Sequence, residues 1–281
     1  MLYKNLSDCH THSLFSHDGI EKIEDMCDRA KEIGLINYAV TDHCEIDDYA
    51  YPEFQYYRDR VHSAYDAMTE KKEIYPFLLS GIELAQPLQN IEAVNNILNG
   101  RNYDFVIGSV HRLETYEDFA YWDTQPYRGV KLWTPETLPR EKALERYLLD
   151  LLEIAKWGKT DTIAHLTYPL RYMRNADGSK MNFDSFHDII REIYRAIIQS
   201  GIALEMNTSG LRQDIGEVLP NTNFLKMYKD VGGELITIGS DAHTVPDLGK
   251  GLKEGFDILE NIGFKYYAVY KNRKATMISV E

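Results

Sequence analysis

Short apolar runs alternate with amphipathic stretches along most of the chain, and each change of period marks a new element. Apolar runs ending in polar residues read as buried strands at 37–43, 77–83, 103–111, 162–165, 202–208 and 234–241. An opening strand precedes them, carried by Met1, Leu2, Tyr3 and Leu6. Between the runs, helical spacing predicts helices at 20–34, 52–72, 89–98, 140–157, 184–200, 221–231 and near 247–262. In the first helix, Ile23, Met26, Ala30 and Ile33 share a face and Gly34 closes the end. A last β stretch at 266–270 has a possible short partner at 275–280.

Seven strand-then-helix units with short connections indicate a parallel sheet, and a sheet near eight units can close into a barrel. No shift of composition marks a linker, so residues 1–281 read as one domain. The rhythm breaks only at 112–138, a stretch rich in aromatic and acidic residues. A connection this long inside a compact domain is usually a lid or a binding loop.

Composition narrows the function. With 44% hydrophobic residues the chain can build a substantial core, and its net charge of −13 argues against nucleic acid or an anionic membrane as main partner. An anionic substrate would therefore need local cations. The three cysteines form no CxxC pair, the opening reads as no signal peptide, and no apolar run reaches the ~20 residues of a membrane span. The expected compartment is a reducing, cytoplasmic one.

Candidate chemistry gathers at the strand ends: His10 and His12, Asp42 and His43, Glu83, His111, His165, Asn207, then Asp241 and His243. In a parallel α/β barrel these C-terminal ends share one face, which carries the site. With His17, the set holds seven of the nine histidines; only His62 and His187 fall in predicted helices, where packing or solvent explains them. His10 and His12 are two apart and point to one side of a strand. Imidazole and carboxylate without thiolate suit zinc, manganese or iron. The set is too large for one ion, since a catalytic zinc uses about three protein ligands. Two or three ions follow, with a carboxylate between them. Glu83 is the natural bridge, because its apolar run makes an unpaired buried carboxylate costly.

The combination His10-Thr-His12, Ser16-His17-Asp18-Gly19, Thr41-Asp42-His43, Gly81-Ile-Glu83, Gly108-Ser-Val-His111, His165 and Gly239-Ser-Asp241-Ala-His243 resembles the PHP (polymerase and histidinol phosphatase) superfamily. The spacing of the first three histidines and the run from Asn207 to Arg212 resemble its histidinol-phosphatase branch most. The resemblance runs from about residue 6 to 245. It implies a distorted (β/α)7 TIM-like barrel of the PHP type, holding three divalent ions. One would be held by His10, His12, Glu83 and Asp241, a second by Glu83, His111 and His165, and a third by His17, His43 and His243. Asp42 is then a partner that orients a neighbouring imidazole.

The implied reaction is hydrolysis of a small phosphomonoester, L-histidinol phosphate in histidine biosynthesis, by a metal-bridging hydroxide. A guanidinium would stabilise the phosphoryl oxygens. Arg212 is the first candidate and Arg171 the second; Arg112 adjoins a ligand but can equally pair with surface acids. His243 or a water on a metal would protonate the leaving alkoxide. Acids and aromatics of the 112–138 stretch, among them Glu114, Glu117, Asp118, Asp123, Tyr121 and Trp122, would receive the substrate's amine and imidazole. The alternatives are another PHP phosphoesterase, for nucleotides, sugar phosphates or phosphotyrosine, and a non-catalytic metal-stabilised scaffold. A C–N hydrolase barrel would leave His17, His43 and His243 with nothing to do.

Overall fold

The computed structural model describes residues 5–114, 118–121, 138–175 and 177–280. The sheet is built from β1 (Ser7–Asp8), β2 (Asn37–Val40), β3 (His43–Glu45), β4 (Leu78–Ala85), β5 (Phe105–Ser109), β6 (Thr162–Ile163), β7 (Ala203–Asn207) and β8 (Ile236–Gly239). The main path runs β1-β2-β4-β5-β6-β7-β8, all parallel, and β3 extends the pairing on β4 beyond β2. Backbone bonds bring the two ends of this path together. Cys9 donates to Ile238 (3.0 Å), Asp241 to His10 (2.7 Å) and His12 to Ala242 (2.8 Å). The result is a nearly closed seven-stranded barrel, as the alternation of apolar runs predicts.

Helices α1 (Ile23–Glu32), α2 (Ile46–Ala50), α3 (Gln55–Lys71), α4 (Ile91–Leu98), α5 (Arg140–Trp157), α6 (His187–Ser200), α7 (Thr222–Asp230) and α8 (Leu252–Ile262) accompany the strands. Local chemistry sets several ends. The Asn90 and Asn221 side chains cap α4 and α7 by accepting the Ala93 and Phe224 N–H groups. Gly158 and Gly201 end α5 and α6 in the left-handed conformation that glycine adopts at least cost.

Two differences from the sequence pattern matter for the site. The expected strand at 37–43 is two pieces: β2 stops at Val40 and the chain re-enters at His43, where Glu83 N–H donates to Asp42 O (3.2 Å). This break carries Glu45 inward. The acidic run after it, which shows no apolar period, forms the single-turn α2.

At the opposite end from the strand C-termini, β9 (Tyr266–Lys271) and β10 (Lys274–Ser279) form an antiparallel hairpin. Tyr270 stacks on Phe105, 5.3 Å between centroids, and the Tyr267 hydroxyl donates to Ser7 Oγ (2.9 Å). Asp104 pins the hairpin turn. Its carboxylate accepts from Asn272 N (3.0 Å), Ser80 N (3.0 Å) and Lys72 Nζ (2.6 Å). Burial disfavours its ionisation, but the Lys72 ammonium and these N–H donors outweigh burial and hold its pKa below the usual value. A depressed carboxyl pKa gives stability that is present above the unfolded value, near pH 4, and is lost as pH falls through the folded one. Asp104→Asn is thus expected to cost about 1.5–3 kcal/mol at pH 7, with the gap to the parent narrowing below about pH 4. Urea unfolding at the two pH values checks this.

Candidate metal centre

Glu83 on β4 is fully buried, and its two oxygens face different sets of imidazoles. Oε1 lies 3.1 Å from His111 Nε2 and 3.0 Å from His165 Nε2. Oε2 lies 2.8 Å from His43 Nδ1, 3.4 Å from His10 Nε2 and 3.7 Å from His12 Nε2. Parallel pairing produces this convergence: His43 is in register with Glu83, and Glu83 with Ile107 on β5, two residues before the strand end that leads to His111. Asp241 comes in from the end of β8, its Oδ1 3.3 Å from His12 Nε2 and 3.8 Å from His10 Nε2. His165 and Asp241 both adopt positive φ (22° and 53°), conformations that persist only where the surroundings over-determine them.

The far side of three of these imidazoles is also specified. His10 Nδ1 meets Glu205 Oε1 at 2.6 Å, His111 Nδ1 meets Glu45 Oε1 at 2.7 Å, and His12 Nδ1 meets Ser16 Oγ at 3.0 Å. An imidazole held this way presents its other nitrogen in a fixed direction and tautomer. Burial works against charge on Glu83, but His111, His10 and His43 outweigh it and hold its carboxyl well below the usual range. His12 is pushed well below its ordinary value, first by burial and then by the His43 and His243 rings.

These atoms fit divalent metal. His10 Nε2 and His12 Nε2 are buried polar atoms without a hydrogen-bond partner, a costly state for a protein interior, and the close contact of His43 Nδ1 with Glu83 Oε2 lacks hydrogen-bond geometry. Two donors about 2.1 Å from one tetrahedral ion stand about 3.4 Å apart. The spacings His10–Glu83 (3.4 Å) and His12–Asp241 (3.3 Å) match that edge. So do His43 Nε2–His243 Nε2 (3.4 Å), Asp18 Oδ2–His243 Nε2 (3.2 Å) and Asp18 Oδ1–His43 Nε2 (3.5 Å). Among the described residues, four groupings of three donors recur within this one cluster, and each contains His12 or His43.

The PHP domain family matches residues 8–209, about 70% of the chain. This chain belongs to that family.

Among relatives of the PHP domain is a probable histidinol-phosphatase of Thermotoga maritima, 28% identical, covering 96% of this chain and 98% of that protein. The histidinol-phosphatase of Lactococcus lactis is 26% identical over 95% of each chain. A solved structure of Lactococcus lactis histidinol phosphate phosphatase, complexed with zinc, L-histidinol and phosphate, superposes with a TM-score of 0.76. It is 24% identical and covers 97% of this chain and 99% of that one.

The structure brings nine predicted ligands of this PHP domain to one cleft or its floor: His10, His12, His17, His43, Glu83, His111, His165, Asp241 and His243. Their closeness differs. His17 is half-exposed, and its ring centroid lies 5.2 Å from that of His43. The adjacent Asp18 reaches both His43 and His243. His243 Nδ1 faces Asp241 O (3.0 Å) while Nε2 faces His43 and Asp18. Asp42 reaches no imidazole directly. It accepts from Ser16 Oγ (2.8 Å), and Ser16 in turn meets His12.

A cleft of about 740 Å³ opens over the cluster, lined by Arg171, Arg212, Asp118, Tyr168 and Lys250 among others. Arg171 donates to Asp241 Oδ2 (2.8 Å) and Ser209 Oγ (2.6 Å). Arg212 donates to the carbonyls of Ser240 (2.7 Å) and Asp241 (2.8 Å). Arg112 does not line the cleft. Its guanidinium pairs with Asp47 (2.7 Å) and Asp48 (3.1 Å), because α2 places both carboxylates beside it. This is the pairing with acids that stood beside its expected place as a substrate-binding group.

Three buried or inward carboxylates escaped the sequence reading: Asp18, Glu45 and Glu205. The period-two face of β7 pairs Glu205 with Asn207, a signal that could have found it. Of the predicted substrate loop, residues 115–117 and 122–137, including Glu117, Trp122 and Asp123, lie outside the described residues. Glu114 lines a separate pocket beside α5, and Asp118 reaches the cleft itself.

Proposed function

We propose that this PHP domain is a metal-dependent histidinol-phosphatase that hydrolyses L-histidinol phosphate to L-histidinol and phosphate, a step of histidine biosynthesis. The observation that carries it is Glu83, one buried carboxylate whose two oxygens each face their own imidazoles on the floor of an open cleft. The names of the relatives supply the substrate. Three ions are proposed. One would be held by His10, His12, Glu83 and Asp241, a second by Glu83, His111 and His165, and a third by His43, His243 and Asp18 with His17 at the rim. The donor chemistry admits zinc, manganese or iron, and zinc has the support of the Lactococcus lactis structure. Bound ions would supply Lewis acidity and an activated water.

The chain's own residues do the rest. Arg171 and Arg212 line the cleft beside Asp241, where guanidinium N–H groups can take phosphoryl oxygens. Asp118 stands on the wall, accepting from the Tyr168 hydroxyl (2.7 Å) and Ala120 N (2.7 Å). Among the described residues no lysine or arginine side chain pairs with it, so it can receive the substrate's ammonium. The cleft would thus match a substrate that is anionic at one end and cationic at the other. No helix among the described residues is long and apolar enough to cross a membrane. Three buried free cysteines fit the reducing cytoplasm proposed for the protein.

The test is kcat/KM for L-histidinol phosphate beside a neutral alkyl phosphate and a nucleotide. A preference for histidinol phosphate is expected. Asp118→Asn should raise KM for it by about tenfold, the worth of one charge-assisted contact, and leave the neutral ester unaffected. Equal loss on both esters would remove the ammonium role. Preference for another ester would keep the chemistry and change the substrate.

A further inference from the structure

We infer that Glu205 is a positioning residue shared by two metal positions, its two oxygens setting the His10 tautomer and the His165 backbone together. The inference rests on the metal-binding reading above. Glu205, on β7, is 1% exposed and lies beneath the cluster rather than in the cleft. Its Oε1 is 2.6 Å from His10 Nδ1, and its Oε2 accepts the His165 N–H (2.7 Å) and Asn207 Nδ2 (3.3 Å). His10 belongs to the first ion position and His165 to the second.

The contact has its own space. It passes Gly239 on β8, where an added Cβ would stand 2.3 Å from His10 Cβ and 2.9 Å from Glu205 Oε1. No residue larger than glycine fits there without moving one partner. Other carboxylates stand behind the ligands too, and Ser16, held by Asp42, also accepts the His43 N–H (3.0 Å). Glu45 takes the His111 ring directly, and Asp42 acts on His12 through Ser16.

Hydrogen-bond logic fixes the consequence. A backbone N–H is always a donor, so the atom facing His165 must be an acceptor. An ionised carboxylate accepts on both oxygens, so His10 Nδ1 must carry the proton. His10 Nε2 is then the nitrogen that faces the space between Glu83 and Asp241 and that sheds its own proton to bind a metal. Glutamine has the same shape but only one acceptor. With its oxygen on His165, its NH2 would donate to His10 Nδ1 and drive the proton to Nε2, blocking the metal. Turned over, it would set two donors face to face at His165, whose φ is already positive.

The experiment uses the full-length parent and Glu205→Gln, stripped of metal and titrated with zinc by calorimetry, with bound ions counted. Separately, 15N-histidine NMR on the metal-free proteins, followed from neutral to alkaline pH, reads which His10 nitrogen keeps its proton, assigned with His10→Asn. In the parent, Nδ1 is expected to keep it. In Glu205→Gln, Nε2 should keep it instead, and zinc should bind one position about 10–100-fold more weakly. Equal zinc affinity and an unchanged tautomer in Glu205→Gln would overturn the inference. So would a parent His10 whose Nδ1 loses its proton before Nε2, a result that stands even if the variant fails to fold. A parent that binds no zinc would instead sink the proposed function, and the tautomer would still test the Glu205 contact.

Discussion

Glu83→Gln is expected to lower kcat/KM for phosphate release by about 10³-fold or more, a loss of ~4 kcal/mol of transition-state stabilisation. Glutamine keeps the volume of a fully buried side chain, so the fold should survive. It replaces one oxygen by an NH2 group among five imidazoles, three of which stand within 3.1 Å of the carboxylate. A donor facing those nitrogens cannot serve as a ligand. The charge is lost too: Glu83 is ionised at neutral pH because His111, His10 and His43 overcome its burial. Metal counting on the purified variant, beside its kinetics, should show fewer bound ions. Full occupancy with unchanged kinetics would remove Glu83 from the centre of the account.

Chelation should have the next largest effect, on activity and stability together. A ligand that binds only the folded protein stabilises it by about 2.7 kcal/mol at one hundred times its dissociation constant. For a chain of this size that corresponds to a fall in Tm of about 5–10 °C per saturated site when metal is removed. The structure says why the stripped protein is strained. His10 Nε2 and His12 Nε2 are buried without hydrogen-bond partners. The His43 and His243 rings stacked on His12, together with its burial, disfavour its protonation. Because the ligands must shed protons to bind, metal affinity should also fall as the solution is acidified. Scanning calorimetry before and after chelation, then after adding metal back, checks the size and reversibility of the shift.

Much of this was legible in the sequence because strand ends on a parallel barrel share one face. His10 and His12 are fixed as a pair by the two-residue period, and Glu83 by its apolar run. His17 and Asp18 show the limit of such reading. They are neighbours in a turn, and only the path of the turn decides that Asp18 faces His43 and His243. Glu45 was hidden by the strand break at Thr41 and Asp42, which pattern alone reads as continuous. Glu205 sits among the apolar residues of β7, where its shared face with Asn207 was the one hint that it serves the site. For Arg112, adjacency to His111 left a place at the site and pairing with acids equally open, and α2, unrecognised as a helix, supplies the acids it meets.

The most direct measurement is phosphate release from L-histidinol phosphate by the same preparation in three states: as metal-loaded, after chelation, and after metal is restored. Release is expected to disappear on chelation and to return with metal. Release that persists in the chelated protein, or none from a protein carrying its metals, would contradict it.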